Sequence, residues 1–289
     1  MIEYGFVAAR VLSGPLSDIF KKRLAEKHAD PLFVVLVNYA FIAAAAAPAL
    51  FLIGLPAAGS AFWLNIALAS VFDTAGMVLA VMSLGQTDLS VFGPLNAYKP
   101  AIALALGAVY LGEKPGACGL AGVAVIIAGS LLLSKNDRKE SSAILKSAGV
   151  WMRMGSIVLF CIGVIFLKKT VVAASPFTAL FFWAAFGLVL SAAAVIALRF
   201  RGIGENIALI KTRAADYIAL SVLMCVLQAM TLLAFKMMFV GYALALFQLS
   251  SVISVLFGRR YFAEKNTAMR LASALIMSAG ALLIIFKGN

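Results

Sequence analysis

The chain is a series of long apolar runs separated by short polar stretches. Ten runs stand out: residues 4–19, 31–53, 61–84, 89–111, 117–133, 148–167, 175–198, 214–235, 239–258 and 267–286. Most approach the ~20 apolar residues that a helix needs to cross the hydrocarbon layer. They are continuous, whereas the strands of a membrane barrel would alternate over about ten residues. The first run is the shortest and carries Arg10, Pro15 and Asp18. The connections are short, so no soluble domain is inserted. The longest, "SKNDRKESSAILKS" and "RFRGIGENIALIKTR", read as loops. The pattern predicts an all-α integral membrane protein with ten transmembrane helices.

Composition supports this class. The chain of 289 residues is 64% hydrophobic and 12% charged, against roughly half and a quarter in soluble domains. Its net charge of +12 would suggest nucleic acid in a soluble protein. Here the Lys and Arg residues lie mainly between the apolar runs, so topology and anionic headgroups account for them, and no nucleic-acid partner is expected. Cys118, Cys161 and Cys225 show no paired spacing, and the one histidine, His28, lies in a charged loop. Neither a metal nor a cofactor is expected. The start, "MIEYGFVAAR", lacks the basic opening of a cleaved signal peptide. An enzyme would need a nucleophile–base pair, paired carboxylates or metal ligands at membrane depth. No HExxH, GxSxG or paired-carboxylate pattern is present, and there is no P-loop. A non-enzyme in the cell membrane (plasma or inner), in contact with the bilayer and a small-molecule substrate, is the expectation.

The chain also repeats itself. "YLGEK" at 110–114 and "YFAEK" at 261–265 each close an apolar run. A shift of 151 positions lays Tyr110 on Tyr261, Glu113 on Glu264, Lys114 on Lys265, Gly107 on Gly258 and Gly129 on Gly280. Near the start of each half the shift is 147, which lays Lys21–Lys22 on Lys168–Lys169. Two units follow, residues 1–134 and 146–287, with five spans each. An odd number of spans inserts the second unit inverted, the architecture of many secondary transporters.

The stretch "PLNAYKPAIALALGAVYLGEKPGACGLAGVAVIIAGSLLL" resembles the end of the first repeat in the EamA-like branch of the drug/metabolite transporter superfamily. "GYALALFQLSSVISVLFGRRYFAEKNTAMRLASALIMSAGALLII" is similar to the matching end of the second. The resemblance implies ten helices in two inverted halves and transport of small metabolites. It implies a hinge-and-cap element at Pro100, Glu113 and Glu264. It also implies that the fifth and tenth helices pack together or form a homo-oligomer seam. Pro100 has Ser251 at its repeat position, so the second half lacks the proline for a kink. Glu113 and Glu264 lie at helix ends, where a carboxylate suits the exposed amides of the following helix.

Charges inside spans are costly unless paired or hydrated. Asp18 precedes Lys21 by one turn, which predicts a helix-end ion pair. Arg153 is expected to snorkel to the interface, and Arg10 to face a water-filled cavity or bind a carboxylate. Asp73 and Lys99 flank the short turn "GQTDLS" at similar distances and share a depth near the midplane. They read either as a static salt bridge or as a gate or substrate site. Asn96 shares a helix face with Lys99. In the second half Gln228 matches Met77, Ser250 matches Lys99, and Gln248 and Ser254 lie nearby. Asn38 and Tyr39 complete the predicted cavity wall, and Trp183 across the repeat reads either as its aromatic wall or as ordinary packing.

Two shared-fold functions follow: a secondary transporter of a small polar or drug-like solute, or a flippase for a lipid-linked metabolite. Fifteen Lys and Arg lie in loops after odd-numbered spans and five after even ones or at the C-terminal end. That bias puts both termini outside the cytoplasm, whereas the resemblance implies both inside.

Overall fold

The structure is a computed structural model, and it describes residues 2–53, 59–84, 96, 98–134, 148–199, 202–250, 253 and 267–287. Among these residues it is all helical, with eleven helices. They are α1 Ile2–Glu26, α2 Pro31–Ile53, α3 Ser60–Leu84, α4 Lys99–Tyr110, α5 Ala117–Ser134 and α6 Ala148–Ala173. Then follow α7 Pro176–Arg199, α8 Ile203–Thr212, α9 Ala214–Met237, α10 Val240–Phe247 and α11 Thr267–Lys287. Helices suit this setting because each satisfies its own backbone groups where no water can. Segments within α2, α3, α6, α7 and α9 are long and apolar enough to cross a membrane. At 1.5 Å per residue, 20 or more residues span the ~30 Å hydrocarbon layer.

Two expectations about elements change. α1 is 25 residues long, not a short run ending at Ile19. It turns Val7, Val11 and Leu24 inward, and Ser13 and Ser17 return hydroxyl hydrogen bonds to the carbonyls of Arg10 and Gly14. The stretch "RFRGIGENIALIKTR", read as a loop, contains α8. α8 buries no residue and carries Glu205 in its first turn and Lys211 in its last, the charge order that complements a helix dipole.

The largest packed interfaces join early helices to late ones. α1 packs on α9, α2 on α7, α3 on α6, α4 on α10 and α5 on α11. One continuous apolar core runs through residues from both halves of the chain. The small-residue faces of α5 and α11 meet each other within the chain. A Cβ on Gly122 would lie 2.7 Å from the Gly280 carbonyl oxygen, and one on Gly280 would lie 2.7 Å from that of Gly122. Glycine at both positions lets the two backbones touch.

Candidate functional site

A cavity of about 290 Å³ lies between the helices. Nine of the ten residues expected in its wall line it: Arg10, Asn38, Asp73, Asn96, Lys99, Trp183, Gln228, Gln248 and Ser250. Tyr39 does not. Its ring stands edge-on behind Trp183, with centroids 4.9 Å apart, and its hydroxyl accepts a hydrogen bond from Thr74 Oγ1. Tyr39 braces the wall from behind because α7 comes close at Gly187, where a Cβ would collide with its ring. Ser254 and Glu264 fall outside the described residues.

Asp73 and Lys99 share the cavity but do not form the expected ion pair. Asp73 is 4% exposed and its Oδ2 accepts from Trp183 Nε1 at 2.8 Å. Its Oδ1 is buried without a hydrogen-bond partner among the described residues. That oxygen lies against Gly163 of α6, where any Cβ would collide with it. Lys99 Nζ lies over the Phe160 ring, 5.2 Å from its centroid. Equal depth on neighbouring helices therefore did not mean contact. The indole from α7 reaches the carboxylate instead, and the ammonium rests on an aromatic face, a favourable site for a cation.

Arg153 corrects another expectation. It does not snorkel outward but lines the cavity, and its Nη2 donates to Asn96 Oδ1 at 2.7 Å. Arg10 faces the cavity as expected. Its Nε donates to Thr231 Oγ1 at 3.0 Å, and its guanidinium lies 4.9 Å from the centroid of the Phe247 ring. Thr231 and Phe160 were not singled out in the sequence. Thr231 had a visible signal, since it follows Gln228 by three residues on one helix face. Asp18 and Lys21 form the expected pair at 3.0 Å, partly exposed, and both line the cavity.

Two helix ends lie at this wall. α4 begins only at Lys99, with Tyr98 as its N-cap residue in a turn. α10 ends at Phe247, and Gln248 and Leu249 form a turn whose amides bond three residues back, to Ala245 and Leu246. Ser251, the position that matches Pro100, lies outside the described residues. Gln248 Nε2 donates to the Asn96 carbonyl at 2.7 Å, tying one helix end to the other.

Glu113 also departs from expectation. It is buried, but it does not cap the helix that follows it. Both of its carboxylate oxygens accept from the Val240 amide at 3.1 Å, so it caps α10 in the other half. Lys168 Nζ lies 3.9 Å from Oε1 and donates to the Met238 carbonyl at 2.7 Å. Gly112, with φ of 66°, provides the left-handed residue that turns the chain just before Glu113. Burial raises the Glu113 carboxyl pKa, against the pull of the Val240 amide and of Lys168. Pro100 is buried in the first turn of α4, where its missing N–H leaves no helical bond unmade.

Comparison with known proteins adds three findings. No curated protein matches the chain. A solved chain titled only as the crystal structure of a protein has a similar fold: its TM-score is 0.68 at 14% identity, over 96% of this chain and 98% of that one. Residues 4–135 match the EamA-like transporter family.

Proposed function

We propose, from the match of residues 4–135 to the EamA-like transporter family, that the chain is a secondary transporter in the cell membrane. It moves a small polar metabolite or drug-like solute by alternating access around the cavity. The observation that carries this reading is the polar cavity set at two helix ends, the start of α4 at Lys99 in one half and the end of α10 at Phe247 in the other. Helix ends of this kind free backbone groups and position side chains for a solute at the midplane.

Ten spans in two inverted halves complete the proposal. The packing supports it, because exchanging each helix for its repeat partner reproduces the contacts. α3 lies on α6 as α9 lies on α1, and α3 on α7 as α9 on α2. Ser70 donates to the Trp183 carbonyl, while its repeat partner Ser221 donates to Asn38. Gly129 meets Met277, while its repeat partner Gly280 meets Ile126. The cavity extends to the partly exposed Asp18–Lys21 pair. Glu113 and Lys168 are outside its lining and lock α4 to α10 where those helices meet. We assign this to a conformation open on the Lys21 side and closed on the Glu113 side.

Purified protein in liposomes tests the reading with a panel of labelled metabolites. Saturable uptake, lost in a variant with the cavity blocked by Ser250→Trp, is the expected result. Leaflet-to-leaflet movement of a labelled lipid without solute uptake would replace the transporter with a flippase.

A further inference from the structure

We infer that the solute is an organic anion with at least two negative charges, a dicarboxylate or a phosphorylated compound; this rests on the transporter reading above. The cavity wall holds three cationic side chains beyond the Asp18–Lys21 pair: Arg10, Lys99 and Arg153. Among the described residues, and beyond Asp18, the lining holds one carboxylate, Asp73. That carboxylate is turned toward α7 and α6, with Oδ2 on the Trp183 indole and Oδ1 against Gly163. It neutralises neither Lys99 nor Arg10, since no carboxylate among the described residues lies within ion-pairing distance of either. Lys99 rests on the Phe160 ring and Arg10 on the Phe247 ring. Uncompensated charge in a space of this depth is expensive, and a ligand of opposite sign removes the cost.

The geometry also suits the chemistry. Arg10 uses Nε on Thr231, which orients the guanidinium and leaves its two terminal nitrogens for a planar carboxylate or a phosphate. Lys99 supplies a point charge that accepts either group. Asn38 and Gln228, on facing helices, offer neutral donors for hydroxyls. A volume near 290 Å³ accommodates a metabolite of a few carbons. A cation or an uncharged sugar would leave the arginine and lysine uncompensated.

Thermal shift of the purified protein in detergent tests this at constant ionic strength. The probes are succinate, citrate and glycerol 3-phosphate, with glucose, putrescine and potassium chloride as controls. The dianions should raise the melting temperature and the controls should not. Lys99→Gln and Arg10→Gln should each weaken the apparent Kd about tenfold or more, the scale of one charge-assisted contact. Arg10→Lys and Lys99→Arg keep the charge, and should retain binding where the neutral variants lose it. Stabilisation by putrescine or glucose alone overturns the anion inference, and so does the absence of a shift with any dianion. Liposome flux separates this from the parent reading. A stabilising dianion that is not carried, while a labelled phospholipid crosses between leaflets, assigns the anion to a lipid headgroup. Uptake of a cation in place of any dianion leaves the transporter standing and removes its substrate class.

Discussion

Trp183 on α7 donates its indole N–H to the Asp73 carboxylate on α3 across 2.8 Å. Both side chains are buried in the wall of the cavity. Removing the indole leaves both carboxylate oxygens short of a donor, a loss of about 1–3 kcal/mol. A double-mutant cycle with Trp183→Phe and Asp73→Asn, read from melting temperatures, should give a coupling of that order. Strictly additive effects would show that the bond contributes nothing.

Lys99 has a different dependence. Its ammonium rests on Phe160 and not on Asp73, so Lys99→Gln should cost only about 1 kcal/mol of stability. Liposome uptake should nevertheless fall sharply. Adding Asp73→Asn to Lys99→Gln should not restore folding or uptake. If the double variant outperforms Lys99→Gln in both assays, a direct pair exists in the working protein.

Glu113 holds α10 by its first amide. Glu113→Ala strands the Val240 N–H and leaves Lys168 without its carboxylate, a cost of about 1–3 kcal/mol. Glu113→Gln keeps one acceptor and should cost less. The pH dependence follows from the raised carboxyl. The folded chain binds this proton more readily than the unfolded chain, so the contribution is full below the ordinary glutamate range of about 4.3 and fades as pH rises through the folded value. Wild type should therefore gain on Glu113→Gln as the pH is lowered from about 7 to about 4. Parallel melting curves across that range would contradict this assignment.

The crossing of α5 and α11 tolerates no side chain. Gly122→Ala and Gly280→Ala each force Cβ to 2.7 Å from a facing carbonyl oxygen, so the helices must separate, at about 1–3 kcal/mol. Gly5→Ala, with nothing within 4 Å of its Cβ, should be neutral or slightly stabilising. Equal melting temperatures for all three variants would contradict the close crossing.

Much of this was legible because membranes reward simple patterns. Apolar runs locate the helices, and the 151-residue shift pairs Gly129 with Gly280, whose contacts mirror each other. Isolated charges in those runs marked the cavity, since hydrocarbon permits few other uses for them. What could not be read was which neighbour each side chain meets. Depth matches Asp73 to Lys99, yet helix rotation turns it toward Trp183. Nearness to a helix end points Arg153 to the interface, yet Asn96 draws it inward. Sequence order gives Glu113 to the next helix, whereas the fold brings α10 nearer. Depth and order along the chain do not fix helix rotation or which helices pack together.

The pairing of α1 with α9, α2 with α7, α3 with α6, α4 with α10 and α5 with α11 sets an order of events during synthesis. Each of the first five helices finds its largest partner only after residue 148 has been made. Until then the ribosome has delivered segments into the bilayer whose best surfaces are uncovered, with Arg10 and Asp73 lacking Thr231 and Trp183. The nascent first half must wait, sheltered by lipid or by the insertion machinery, for the second. A chain severed between α5 and α6 should therefore work only when both pieces are made together, each acting as the other's folding template.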